Sequence, residues 1–299
     1  MEDHSADALG PCAARPRSQG WCAIRNALSN LTFLVTLLAL LTIPFLELSV
    51  WPFLVAFGVA YGFGLSVTIG YHRYFAHRSF GTSRAFQFLL ALGGCLAIQK
   101  GPLWWVATHR LHHRHSDRPD DPHSPVQGGF WHAHVGWMFA SDTLFVDYAV
   151  VKDLRKYPEL VWLDRLWLVP GMLFAGLCYL TMGWAGVVIG YCMPLVIMLQ
   201  ATYAVNSVCH LFGSRRFETP EQSRNNLWVA LLTHGEGWHN NHHHAPYSAR
   251  HGFAWYEFDL SYQVIRVLAL VGVVWNVKVP PKHVMSGEER TAVEAPVAV

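Results

Sequence analysis

The chain has 299 residues, 52% hydrophobic and only 14% charged, where an ordinary soluble domain carries about a quarter charged. With 13 Trp, 17 Phe and 11 Tyr, this balance excludes a disordered or nucleic-acid-wrapping chain and predicts several bilayer spans with aromatic belts. The net charge of +2 selects no partner, and the anomaly is the 18 histidines, because a polar ring in hydrocarbon is costly without a partner.

Residues 1–26 mix Asp, Glu, Arg, Pro and Gly and contain no apolar core followed by a small-residue cleavage site. They predict a short cytoplasmic segment and no secretory leader. A bilayer crossing needs about 20 apolar residues, which predicts spans over about 27–48 and 51–71, joined by a tight turn at Pro44 and Trp51-Pro52. Ala85 to Ile98 is apolar but has only 14 residues, too few for a comfortable crossing, and predicts an interfacial helix. A second hairpin is expected over about 166–184 and 185–209, turning at Gly183-Trp184-Ala185-Gly186. Residues 282–299 predict a flexible polar tail.

The two short turns hold no Lys or Arg, whereas Arg73, Arg78, Arg84, Lys100, Arg110, Arg114, Arg118, Lys152, Arg155 and Lys156 all fall on the other side. That side is therefore expected to be cytoplasmic, with both termini and the histidines on it. The expected fold class is an all-α, multi-pass integral membrane protein, with four transmembrane helices in two hairpins and a cytoplasmic helical cap. The six cysteines form no C-x-x-C pair and predict small buried thiols.

Three histidine clusters stand out: H-R-Y-F-A-H (His72, His77), H-R-L-H-H (His109, His112, His113) and H-N-N-H-H (His239, His242, His243). Asn206 and His210 form a fourth element at i and i+4. On a helix, the rings of H-x-x-H-H project from one face within a turn. His72 follows the second predicted span and His210 ends the fourth, so nine imidazoles converge at one depth. They cannot all be protonated, and metal is the natural neutralising partner. Nine nitrogens exceed the four ligands of a tetrahedral zinc and suit two metals; an all-imidazole set suits iron without dictating it. Open positions on two irons beside a lipid chain imply dioxygen as co-substrate. His4, His251 and His283 read as structural rings, whereas His115, His123, His132, His134, His234 and His244 are left unassigned. Asp117, Asp120, Asp121, Asp142 and Glu236 are candidates to accept the second N–H of the ligating rings.

The boxes H-x4-H, H-x2-H-H and H-x2-H-H resemble those of the membrane-bound fatty acyl desaturases. Four flanking stretches, G-P-L-W-W-V-A-T-H-R-L-H-H (101–113), D-P-H-S-P (121–125), G-F-W-H-A-H-V-G-W-M (129–138) and G-E-G-W-H-N-N-H-H (235–243), resemble the stearoyl-CoA, delta-9 class. The resemblance covers roughly residues 27–280. It implies a diiron site in the cap, with His72, His77, His109, His113 and His243 on one iron. The other would take His112, His210, His239, His242 and a water held by Asn206. It also implies a narrow tunnel in which a saturated acyl chain acquires a cis double bond, with Gln99, Trp105 and Thr202 lining its bend. Where animal acyl-CoA enzymes of the family carry Arg-Asp, this chain has Ala107-Thr108, so both acyl-CoA and a membrane glycerolipid are expected carriers.

No dinucleotide fingerprint or fused haem domain is visible, which predicts a separate electron donor, a ferredoxin or a cytochrome b-type protein with its reductase. Hydroxylation or another monooxygenation on the same scaffold is the rival chemistry. A histidine-rich transporter is disfavoured because its ligands would lie near the bilayer midplane. Bis-His haem would leave most of the rings unused.

Overall fold

The computed structural model describes residues 16–140 and 146–287. Helix α1 (Pro16–Leu40) leads to α2 (Val50–Leu65), which continues as π-helical turns through Ser66–Ala76. A short strand β1 (Gly81–Thr82), α3 (Arg84–Leu96), α4 (Pro102–His115), α5 (Pro125–His134), α6 (Lys152–Arg155) and α7 (Pro158–Arg165) follow. The chain then forms α8 (Leu168–Ala185), a π-helical stretch Gly186–Cys192, and α9 (Met193–Ser207). Last come α10 (Leu227–Leu232), α11 (His239–His244), α12 (Leu260–Leu270), β2 (Val274–Trp275) and α13 (Lys282–Ser286). β1 and β2 pair antiparallel, Gly81 opposite Trp275 and Thr82 opposite Val274, which pins the C-terminal part of the cap beside the end of α2.

Three runs are long and apolar enough to cross a membrane: Ala23–Leu40, Val50–Ala76 and Leu168–His210. All three present bare apolar faces. On α1 the buried residues include Arg25, Asn26, Ser29 and Thr36, while Leu38 is 61% exposed; on α8, Leu180 is 83% exposed. Such large bare apolar faces are at home in lipid rather than water. The third run, 43 residues long, would span about 65 Å if straight, twice the hydrocarbon thickness of about 30 Å. It is not straight. Gly183 adopts φ 62°, ψ −156°, a conformation only glycine reaches without strain. The Phe174 and Tyr191 rings, which would stand about 25 Å apart on a straight helix, pack at 5.2 Å. The run therefore doubles back at the expected turn, where the Trp184 indole donates to Thr42 Oγ1 at 2.9 Å, placing it beside the α1–α2 connection.

Helix α3 is the short apolar helix expected near 85–98, capped by Ser83, whose hydroxyl accepts from Phe86 N. It lies tight against the π-helical turns, since a Cβ on Gly94 would collide with the Tyr71 ring. At the tail, α13 extends the fold into the region expected to be flexible, with Met285 packing against Phe217, Ala245 and Phe253. Residues 288–299 lie outside the described residues.

A buried polar knot ties α1, α4 and α7 together. Arg25 Nη1 donates to Asp164 Oδ2 at 2.9 Å and to the Tyr148 hydroxyl at 2.8 Å. Asp164 Oδ1 accepts from the backbone N of Trp104 in the first turn of α4 at 2.8 Å, where a carboxylate also meets the helix dipole. Replacing Asp164 by Ala strands the Arg25 guanidinium in the interior, which should cost about 3–5 kcal/mol. Thermal unfolding of detergent-solubilised Asp164→Ala should show a much earlier transition than the parent; an unchanged midpoint would contradict the knot.

Candidate metal centre

All nine histidines singled out by spacing gather at one end of the helical runs. His72 comes from the π-helical turns and His77 from the residue just beyond them, His109, His112 and His113 from α4, His210 from the single 3-10 turn after α9, and the last three from α11. They fall into two groups whose ring nitrogens lie within 4.8 Å of one another: His72, His77, His109, His113 and His242, and then His112, His210, His239 and His243. This corrects the expected division, in which His243 stood in the first group and His242 in the second. The reason is helical geometry. Residues at i and i+4 share a face, so His109 stays with His113 and His239 with His243, while the ring at i+3 on each helix turns toward the other group. His242 Nε2 accordingly lies 3.1 Å from His72 Nε2 and 2.9 Å from His113 Nε2. His243 Nε2 lies 3.1 Å from His239 Nε2.

Four of the outward nitrogens meet carboxylates. His112 Nδ1 donates to Asp121 Oδ1 at 3.0 Å and His210 Nδ1 to Asp117 Oδ2 at 2.9 Å. His72 Nδ1 lies 2.6 Å from Glu236 Oε2 and His243 Nδ1 3.4 Å from Glu221 Oε1. Three of the anticipated acids thus stand behind rings. Asp120 instead lies 3.7 Å from His115 and is largely solvated; Asp142 is outside the described residues. Glu221 was missed, and no spacing signal marks it, because it sits in an irregular segment far in sequence from His243. His251, expected to be merely structural, is fully buried with Nδ1 3.1 Å from Glu236 Oε2. Behind it, Arg73 bonds Glu236 Oε1 at 3.0 Å and Asp259 Oδ1 at 3.0 Å.

Burial first, and then the neighbouring imidazoles, hold His77, His109, His113, His239, His242 and His243 well below the ordinary histidine value. His112 runs the other way: burial disfavours its cation, but the Asp121 carboxylate outweighs that and raises it. Glu236 is buried yet held far below the usual carboxylate range by Arg73, His72 and His251.

These features fit metal. A neutral ring that gives its Nδ1–H to a carboxylate has only a lone pair on Nε2, so His210, backed by Asp117, and His243, backed by Glu221, both turn lone pairs toward His239 Nε2 at 3.1 Å, which has at most one hydrogen and can answer only one of them. Lone pairs converging this closely call for a cation between them, and carboxylate behind imidazole is the usual outer support of a ligating ring.

Two cavities border the groups. Gln99, Trp105, His109, Thr202 and Asn206 line both. Gln99 Nε2 donates to Thr202 Oγ1 at 3.3 Å across the junction, and the Trp105 ring stacks on His109 at 4.9 Å. Asn206 also shares the second cavity with His112 and His239. Of the unassigned histidines, His123 packs on His112 at 4.5 Å, His134 bonds Ser207 and Gln200 of α9, His234 lines the second cavity, and His244 stacks on Phe217. Gln99 is held by an unusual bend, because its neighbours Ile98 and Lys100 both take positive φ, 53° and 62°.

Asp121→Asn and Glu221→Gln should each weaken metal retention about 10–100-fold, read as metal per protein after equilibration with a chelator. Full retention in both would contradict the supporting role. In metal-stripped protein, the six depressed histidines must take up protons on unfolding below about pH 6.5. Their contribution to stability is present above that value and lost as pH falls, with His112 alone opposing, so melting temperature should climb from pH 5.5 to 6.5 and then level.

A family model described as "Fatty acid desaturase" matches residues 48–273. The probable lipid desaturase ADS3.2, chloroplastic, of Arabidopsis thaliana is 40% identical over 260 residues, 86% of this chain and 70% of that protein. The sn-1 stearoyl-lipid 9-desaturase of Anabaena variabilis is 40% identical over 73% of this chain and 80% of its own length. An acyl-CoA 5-desaturase of Anemone leveillei is 40% identical over 77% and 72%. With a match over most of its length, the same chemistry in its relatives, and a candidate metal centre built from the predicted boxes, the chain belongs to the fatty acid desaturase family and is an oxidoreductase.

Proposed function

We propose that this enzyme introduces a cis double bond, at delta-9, into a saturated acyl chain, using dioxygen, two irons and electrons from a separate donor. The observation that carries the reading is the juxtaposition of two histidine groups with a cavity pinched at Gln99, Trp105 and Thr202. Two irons held by His72, His77, His109, His113 and His242 and by His112, His210, His239 and His243 would supply removal of two hydrogens. The balance is one saturated C–C bond, O2, two electrons and two protons giving one alkene and two waters.

The chain's own residues bind and orient. Asp121, Asp117, Glu236 and Glu221 fix the rings so that Nε2 points inward. The Trp105 indole, stacked on His109, shields that ring from water. Asn206, which lines the second cavity with His112 and His239, would hold a water beside the second group. The two arms of the cavity suggest how the substrate lies. The first arm sets Lys100, Ser29, Thr36 and Thr108 among mainly apolar residues, and the second runs past the metal-centre rings to Val67, Met198, Ala201 and Val205. An arm that holds an ammonium and hydroxyls suits the carbonyl end, and the other then takes the methyl end. Between them the Gln99–Thr202 bridge forces a bend, and the carbon pair held there is the one that reacts, because a misplacement of ~1 Å loses most of the rate. The 9-desaturase names among the relatives favour delta-9; the 5- and 7-desaturase names show how far position varies at similar identity.

The doubling back at Gly183 supports four crossings, and the positive-inside distribution supports a cytoplasmic site with both termini on that side. A ferredoxin or cytochrome b-type donor suits the basic face that includes Arg114 and Arg118.

The test is to locate double bonds by mass spectrometry of total fatty acyls from expressing cells beside a vector control. New cis-9 monoenes are expected; hydroxylated chains would move the chemistry to oxygen insertion. His112→Ala and His239→Ala should abolish the product and lower bound iron while leaving membrane insertion intact. Full activity in either would overturn the ligand assignment.

A further inference from the structure

Lys100 is the one charged side chain in the first arm that neither the metal centre nor the fold's ion pairs absorb. It is 3% exposed. Its ammonium donates to Asn26 Oδ1 at 2.8 Å and sits 3.9 Å from the centre of the Trp104 ring. Among the described residues no carboxylate reaches it. Burial first, and then repulsion from Arg25, bring it down to about 7. A buried cation held by one amide oxygen and an aromatic face, with no counter-charge, is costly, and its backbone is costly as well, since φ 62° is the left-handed region. The bend is held from behind, where the Tyr71 hydroxyl donates to Lys100 O at 3.0 Å. Strain and desolvation together, at a residue lining a cavity next to Gln99, mark a group arranged for a ligand.

We propose that Lys100 anchors the carbonyl end of the substrate, and that this substrate is an acyl chain in ester linkage to a membrane glycerolipid. The proposal rests on the desaturase reading above and extends it to the carrier. Two observations favour the lipid ester. Among the described residues lining the first arm, Lys100 is the only Lys or Arg; a nucleotide thioester, with its several phosphates, calls for a cluster of them. The same arm is walled by Ser29, Phe33 and Thr36 of a helix long and apolar enough to cross a membrane. A chain still attached to a lipid can enter there from the leaflet. One ammonium then donates to an ester carbonyl oxygen. The distance from that anchor to the Gln99–Thr202 pinch sets which carbons reach the metals, so position is counted from the carbonyl.

The experiment compares wild type, Lys100→Met and Lys100→Arg in membranes from the same host, matched for protein and iron. With limiting lipid, Lys100→Met should lose about tenfold or more in rate, the worth of a hydrogen bond to a charged group. Its remaining product should also scatter over neighbouring double-bond positions, and Lys100→Arg should restore a single position. A structural role alone would lower the amount of product without moving the bond, so a single unshifted position in Lys100→Met overturns the anchor. If that variant fails to accumulate, Lys100→Gln, whose shorter neutral side chain withdraws from the carbonyl, should show the same scatter; an unshifted bond there overturns it equally. The carrier is tested by giving wild-type membranes deuterated distearoylphosphatidylglycerol in fused vesicles or deuterated stearoyl-CoA. Conversion of the intact lipid is expected, and conversion of the thioester alone overturns the lipid assignment. A wild type that makes no monoene in cells instead contradicts the desaturase reading itself.

Discussion

The Arg73 guanidinium is the joint on which the site depends. It is wholly buried and touches three separate parts of the cap: Glu236 before α11, Asp259 at the start of α12 and the carbonyl of Ala249. Both carboxylates are bonded again. Glu236 reaches His72 and His251, and Asp259 accepts from His251 N and caps α12 through Tyr262 N. Two carboxylates around one guanidinium keep the interior charge nearly balanced, which is what makes a buried cation tolerable. Through this joint, the ring on the π-helical turns and the rings on α11 share one frame even though the chain between them is more than 150 residues long.

Much of this was legible in the sequence because the chemistry repeats at helical spacing. His109, His112 and His113, and His239, His242 and His243, announce themselves by i, i+3, i+4, and all nine rings converge. The pattern did not say which ring of α11 faces which group, because that depends on the helix's rotation about its axis, a tertiary fact. The same limit hid Glu221: its segment has no period, and only the packing of the loop against α11 brings it near His243. The bare faces of α1 and α8 were legible as apolar runs. The strained bend at Ile98 and Lys100 was not, since nothing in I-Q-K-G marks a left-handed backbone at two residues without glycine's freedom.

That bend sharpens how the cavity works. A β-branched residue at positive φ is a genuine outlier, and the cost of each such residue, of order 1–3 kcal/mol, is sustained here by packing on both sides. Tyr71 from the π-helical turns holds Lys100 O, and Tyr191 from the doubled-back run donates to Leu96 O at 2.7 Å. Two apolar runs therefore clamp one short polar segment and aim Gln99 at Thr202. Selectivity for position along a featureless hydrocarbon needs such stiffness, because methylenes offer no polar handle of their own to hydrogen-bond.

The π-helical stretch Ser66–Ala76 carries a consequence of a different kind. Adding or removing one residue in a helix turns everything beyond it by about 100°, and a π segment is a helix holding extra residues per turn. Hydropathy is blind to that count: a span one residue shorter would be as greasy and would enter a bilayer as well. Yet His72 and Arg73 would then point away from Glu236 and His242. In this chain the number of residues between the membrane and the first histidine is itself part of the chemistry, so two sequences can match in every apolar character and differ in whether they possess an active site.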